Sequence, residues 1–443
     1  MNDTTSFPRL IIVGTVPYNR QSTSRAFDSY FHEWPHEKLA QVFSNGAEPL
    51  KGHCGQLFQI TDKMMLNRWL HREAPVGRLY LREDLKDEAE ADNAFNPNLV
   101  GTNSRLHQFG SRHTPLTHLL RKVLWRKKYW NTAEFNRWLD DFKPECVFLS
   151  FSNDFFILEI ALYIAEKFDI PICSSTGDDY YFDSKLSLNP LYYLYHEWYK
   201  SLNRRIFRHR GSAIYIGNKI RDKYNSAFGL DGETVYLVSD IVRRPFRPIN
   251  PKHFTVRYFG NIGFGRNLSI CDVATALARI KPDIKIEVYS GERHADKIRP
   301  LRNHPNVDFK GSIPYAEVIK RTLESDILLV VEGLAKSDIN LTRYALSTKV
   351  ADSLASGCNI AGYGSSECGA IEYLEQTGCV TLGHNIDEME ASLRAMIYNP
   401  ELQRHNYDKA TQVFQANHTL ISSNNHVKNI INRITYSKNN EKR

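Results

Sequence analysis

TVRYFGNIGFGRNLSICDVATALARI, Thr255 to Ile280, decides the fold. It opens as a β-prone run, passes through glycines at 260, 263 and 265, and continues as a segment whose apolar residues recur at helical spacing. Strand, glycine-rich loop and helix in that order begin a parallel α/β unit. The alternation continues downstream. IKIEVYSG (Ile284 to Gly291), NVDFKG (Asn306 to Gly311) and DILLVVEG (Asp326 to Gly333) read as strands, and PYAEVIKRTLES (Pro314 to Ser325) as a helix with proline in its first turn. LSTKVADSLASGCNIAGYG, Leu346 to Gly364, then supplies a helix, a glycine stop and another strand.

The same grammar runs upstream. RLIIVGTV (Arg9 to Val16) reads as a first buried strand, PECVFLSFS, ILEIALYIAEKF and DIPICSST as strand, helix and strand between 144 and 176, and GSAIYIG followed by IRDKYNSAFG as strand and helix. Between them, DIVRRPFRPINPKH (Asp240 to His253) carries three prolines and a run of arginines with no period of either kind, which marks a linker. Alternation on both sides of a linker predicts two parallel-sheet domains with a cleft between them. The expected boundaries are 1–240 for an N-terminal Rossmann-like domain, 241–254 for the linker and 255–415 for a C-terminal Rossmann-like domain. A helical segment and polar tail over 416–443 has the N-terminal domain as its candidate place of return.

At 443 residues the chain exceeds what one core usually serves, and 42% hydrophobic with 24% charged residues is ordinary globular material. No run of about 18 apolar residues occurs, and MNDTTSF has an acid where a signal peptide needs a basic flank. A cytoplasmic protein that does not span the membrane is the expectation. The seven cysteines are scattered without a C-x-x-C pair, which points away from a disulfide framework or a zinc site and toward reduced, mostly buried thiols. The net charge of +7 suits an anionic lipid or small ligand as well as it suits nothing in particular. No nucleic-acid module is recognisable, so no nucleic-acid partner is expected.

Ligands of open α/β sheets bind at the carboxyl ends of strands. In GNIGFGRNL the glycines allow close backbone approach, and Arg266 can reach a phosphate with a two-pronged donor set. In the stretch from Leu346, Ser347 or Thr348 is a natural N-cap, the helix start favours an anion, Lys349 adds a full charge, and Asp352 lies one turn up on nearly the same face. A phosphate over the helix end with a sugar hydroxyl on Asp352 explains both residues. A capped helix with a solvated lysine and aspartate pair explains them too.

The order of elements, the glycine loop and STKVADSLASG resemble the retaining glycosyltransferases of family four, which have the GT-B fold: two Rossmann-like parallel-sheet domains facing a central cleft. The resemblance is specific over about 255–400. It implies that Arg266 stands at the family's phosphate lysine, that Asn261 replaces a phosphate arginine, and that Asp352 matches the acid that holds the donor ribose. The family's first acid has no match, its place being taken by Tyr344. The nearest pattern is a branch with S-T-K before the acid, common among enzymes that build bacterial surface polysaccharides, in which Lys349 restores the charge that Asn261 lacks. Arg266 and Lys349 are then the catalytic pair, with Gly14, Gly260, Asn261, Gly263, Ser347, Thr348 and Asp352 completing the donor site. The donor is a nucleotide-diphosphate sugar acting as substrate, and neither a cofactor nor a metal is expected.

Asp178, Asp179 and His113 are the acceptor-side candidates, with His107 and His118 in reserve; for each histidine a surface or packing role is the plainer reading. LLRKVLWRKKYW (Leu119 to Trp130) and LYYLYHEWYKSLNRRIFRHR (Leu191 to Arg210) mix rings with basic residues, as interfacial helices do, which would suit a lipid-linked glycan acceptor and peripheral contact at the inner face of the plasma membrane. Glu332 and Asp338 are weaker donor-side candidates. The rivals are a GT-B sugar-nucleotide epimerase and a non-catalytic partner subunit.

Overall fold

The structure is a computed structural model and describes residues 7–17, 30–46, 48–87, 115–152, 154–179, 181–182 and 187–436. It divides into two compact units, one comprising Met1–Tyr215, Arg221–Glu233 and Asn424–Arg443, the other Ile216–Ile220 and Thr234–Ser423.

The first unit is built on an eight-stranded sheet of β1 (Leu10–Val13), β2 (Leu39–Phe43), β3 (Gln56–Gln59), β4 (Arg78–Leu81), β5 (Cys146–Ser150), β6 (Ile172–Thr176), β7 (Gly211–Tyr215) and β8 (Glu233–Thr234), in the order β4-β3-β2-β1-β5-β6-β7-β8. Every neighbouring pair in the run β3-β2-β1-β5-β6-β7 is parallel, and β4 runs antiparallel to β3. Strands β2 and β3 escape an apolar-run search because each buries glutamine. Gln41 donates to the Thr15 carbonyl at 2.7 Å and Gln59 to that of Asn45 at 2.8 Å, so loop backbone satisfies groups that would otherwise be costly inside. Rings fill the space beneath the helices, with Trp125 stacked on Phe156 at 3.8 Å and Phe58 on Trp138 at 5.0 Å. On the helix Leu420–Tyr436, His426 and Arg433 both engage the carboxylate of Glu233, the last residue of its segment of the first unit.

The second unit holds β9 (Val256–Phe259), β10 (Ile286–Tyr289), β11 (Val307–Gly311), β12 (Ile327–Val331), β13 (Asn359–Tyr363) and β14 (Thr381–Gly383), ordered β11-β10-β9-β12-β13-β14 and parallel throughout. The strand order reverses direction at β9 and β12, which makes the loops leaving those two strands the switch point where ligands of such sheets bind. One face is covered by the helices Arg266–Ala278 and Ile386–Tyr398, through Val273, Leu277, Leu393 and Met396. The other is covered by the helices Thr348–Ser356, Gly369–Thr377 and Pro400–Asn417, through Val350, Leu354, Leu374 and Ala410.

The proline-rich stretch expected as a linker over 241–254 has no helix or strand, yet it belongs to the second unit, whose main segment begins at Thr234. Its arginines explain this. Arg243 donates to the carbonyls of Leu354 and Tyr407, Arg244 to that of Leu323 at 3.0 Å, and Arg247 to Asp326 at 2.9 Å. The boundary near 415 likewise moves to Ser423, since His418 is buried and bonded to Tyr373 at 2.7 Å and to the Leu237 carbonyl at 2.8 Å. The seven cysteines are free thiols, all but Cys271 buried. Among the described residues no helix is long and apolar enough to cross a membrane.

Candidate functional site

The loop leaving β9 and the end of β12 meet at the switch point of the second unit. Gly260 begins the loop at φ 124°, where a side chain is strained, and a Cβ there would press within 3.1 to 3.4 Å of Cε, Cδ and Nζ of Lys349. Glycine at 260 is thus what lets the lysine lie along the backbone. Asn261 turns its amide inward, its Oδ1 accepting from the Gly263 N–H at 2.6 Å. Gly265, left-handed at φ 72°, starts the helix Arg266–Ala278, and a Cβ there would strike Asp338 Oδ2 at 2.4 Å.

Arg266, the first residue of that helix, is buried and points at an equally buried carboxylate. Its Nε donates to Glu332 Oε2 at 2.9 Å and its Nη2 to Oε1 at 3.1 Å, a two-pronged pair between residues 8% and 2% exposed. Glu332 follows β12, and its carbonyl accepts from Ser269 at 2.8 Å. Lys349 approaches from the helix Thr348–Ser356, whose N-cap Ser347 accepts from the Lys349 N–H, and its ammonium donates to the Tyr258 hydroxyl at 2.7 Å. Tyr258 in turn donates to the Asn261 carbonyl at 2.5 Å.

The electrostatics follow from this crowding. Burial and the neighbouring Arg266 cation push the Lys349 ammonium down to about 7, with Glu332 opposing them. Burial raises the Glu332 carboxyl above its usual range, against the pull of Arg266 and Lys349, and burial raises the Tyr258 hydroxyl. Two cations and one carboxylate at a glycine loop and a helix start form a place where an anion can be held. Asp352, one turn beyond Lys349, accepts from Ser239 Oγ at 2.7 Å.

Of the expected donor residues, Gly260, Asn261, Gly263, Arg266, Ser347, Thr348, Lys349 and Asp352 lie in the second unit, with Arg266 and Lys349 drawn together around Glu332. Tyr344 lines a small pocket with Lys219, Leu346 and Glu372 in the same unit. Gly14 belongs to the first unit, where it follows β1 at φ 99° and a Cβ would meet the Ser150 carbonyl at 2.5 Å. Asp179 caps a turn, accepting from the Phe182 N–H and the Tyr224 hydroxyl, each at 2.9 Å, and Asp178 is exposed. His118 is a packing residue, buried and stacked on Tyr195 at 4.4 Å, while His107 and His113 lie outside the described residues. Among the described residues no three of His, Cys, Asp or Glu are grouped to hold a metal. Tyr258, Ser239 and the central place of Glu332 were not foreseen; the end of β12, adjacent to β9 at a switch point, was the signal for the last.

No protein-family model matches the sequence, and no curated protein matches it. Solved structures do. HepE from Anabaena, in complex with UDP, is similar with a TM-score of 0.57 over 95% of this chain and 98% of its own at 11% identity. A glycosyltransferase from Rickettsia africae is similar with a TM-score of 0.51 over 96% of this chain and 98% of its own, also at 11% identity. TarM matches 67% of this chain with a TM-score of 0.48 and 13% identity, and the match spans 57% of TarM's length. Two switch-point sheets in one chain, matched nearly end to end by HepE, identify the fold as GT-B.

Proposed function

We propose that this chain is a glycosyltransferase that moves a sugar from a nucleotide-diphosphate donor to a glycan acceptor. The observation that carries this is the cluster of Arg266, Lys349 and Glu332 at the switch point, beside a glycine loop and the start of a helix. On this reading the Lys349 ammonium and the first turn of the helix at Arg266 hold the diphosphate and stabilise charge on the leaving group. Asp352, steadied by Ser239, holds the ribose. Asn261 contributes no charge and spends its amide on the loop, so Lys349 carries the role of the missing arginine, as the S-T-K branch of family four would have it. Retention of configuration and independence from metal are part of the proposal, the cations being supplied by the chain. HepE's complex with UDP makes UDP the first nucleotide to try.

Thermal shift with UDP, GDP, ADP and CMP, each with and without chelator, tests the reading. A ligand at a hundred times its dissociation constant adds about 2.7 kcal/mol, roughly 5 to 10 °C for a unit of this size. Such a shift with one nucleoside diphosphate in chelator is the expected result. No shift with any nucleotide would leave the non-catalytic subunit, which Tyr344 and Asn261 favour.

The proposed acceptor is lipid-linked, in cell-surface polysaccharide synthesis at the inner face of the plasma membrane. Support comes from the first unit, where the helix Pro115–Leu124 packs on the helices Asp62–Leu70 and Pro190–Arg208. They expose Leu66, Trp69, Leu70, Leu116, Leu120, Val123, Tyr193 and Leu194. Arg121 turns inward to Asp62 and Asp154, and Lys122 lies over the Trp198 ring, but Lys63, Arg126, Lys127 and Lys128 remain exposed. Apolar side chains flanked by cations suit an anionic bilayer, each basic residue near it contributing about 1 kcal/mol. Co-sedimentation with vesicles containing phosphatidylglycerol is expected, and Trp69→Asp with Leu120→Asp should weaken it about tenfold or more. Equal binding by the double variant would remove this support.

A further inference from the structure

The carboxylate of Glu332 is nearly sealed from solvent and both its oxygens are spent on Arg266. Apolar residues of similar volume hold a fold together as well as a buried ion pair does, so a pair kept at a switch point calls for another reason. The charges give one. Arg266 and Glu332 cancel, and a diphosphate arriving there finds its net positive charge on Lys349. The groups that bear on Lys349 are Tyr258 from β9, Arg266 from the following helix and Glu332 just past β12; the Cys368 thiol bears on Glu332 from ahead of the helix Gly369–Thr377.

We propose that Glu332 is the positioning residue of the donor site: by neutralising Arg266 it leaves the diphosphate to the Lys349 ammonium, so that donor binding takes up a proton and weakens as Lys349 deprotonates. The inference rests on the donor-site reading above. The step balances simply, since the Lys349 amine accepts one proton from solvent and no other bond forms or breaks. Without an anion the ammonium is held down to about 7 by burial and Arg266. A phosphate beside it favours the charged form and raises that value. Affinity is therefore complete below about pH 7 and falls roughly tenfold for each pH unit above it, to about 50-fold weaker at pH 9 than at pH 7.

Isothermal titration of the full chain with UDP, between pH 7 and 9 and in buffers of differing ionisation enthalpy, tests this. Wild type should show the falling affinity with close to one proton taken up per UDP at pH 8 to 9. Glu332→Gln removes the carboxylate that sustains the ammonium, so its fall in affinity should begin at lower pH. Lys349→Met should bind weakly with no such dependence, and it also accounts for any proton taken by the nucleotide's own phosphate; it suffices if Glu332→Gln does not fold. Wild-type binding that is flat over this range without proton uptake overturns the inference and leaves the donor site standing. Absence of UDP binding at every pH overturns both.

Discussion

On the proposed donor-site reading, replacing Lys349 with methionine is expected to lower donor turnover about 10²- to 10³-fold, the usual cost of deleting one group aimed at charge that develops in the transition state, while the protein becomes more stable. The two effects share a cause. The ammonium lies along Gly260 beside a second cation, an environment that disfavours its charge. A methionine of similar reach fills the same channel without that cost. After allowance for the partial exposure of Lys349, the gain is on the order of 1 kcal/mol, or about 2 to 4 °C. Its pH dependence has a definite sign. The folded value lies below the unfolded one, so the cost of Lys349 is full below about pH 7 and fades as pH rises toward the unfolded value. The difference in thermal midpoint should hence be largest near pH 6 and shrink by pH 9. Unchanged turnover would refute the role, and a lowered midpoint at pH 6 would refute the electrostatics.

Arg266→Met should act in the opposite sense. It strands the Glu332 carboxylate, and breaking a buried pair from one side costs about 3 to 5 kcal/mol, roughly 10 °C for a unit of this size. Burial already raises Glu332, and loss of the guanidinium raises it further, so the folded value stands above the unfolded one. The penalty is therefore absent below the unfolded carboxyl value and grows as pH rises through the folded one. Chemical unfolding at pH 5 and pH 8 should show the smaller defect at pH 5. Adding Glu332→Gln should recover most of the loss, because it removes the stranded charge. Additive single-variant effects would mean that the two residues do not act as a pair.

These variants separate what local sequence conveys from what it does not. The alternation of strand and helix was legible because the strands of a parallel sheet, buried on both faces, are apolar throughout, as β12 is. The candidate site was legible in part as local structure. Ser347 caps its helix, Gly357 ends it left-handed, and Lys349 and Asp352 share a face, all within one short stretch. Strands β2 and β3 were not legible, because their buried glutamines are satisfied by loops elsewhere in the chain. The 241–254 stretch read as a linker because it lacks a period, and its arginines answer instead to carbonyls that the sequence keeps far away.

Sequence alone determined the two-unit α/β architecture, the glycine loop and the helix that presents Lys349, since each depends on periodicity, caps and residues that tolerate particular backbone angles. Tertiary structure decided what those residues meet. Arg266 and Glu332 are 66 positions apart and Asp352 and Ser239 113 apart, and only the strand order brings either pair together. The charge that Lys349 carries at neutral pH is likewise a property of the fold, because desolvation and neighbouring charges, which a linear pattern does not contain, set its affinity for a proton.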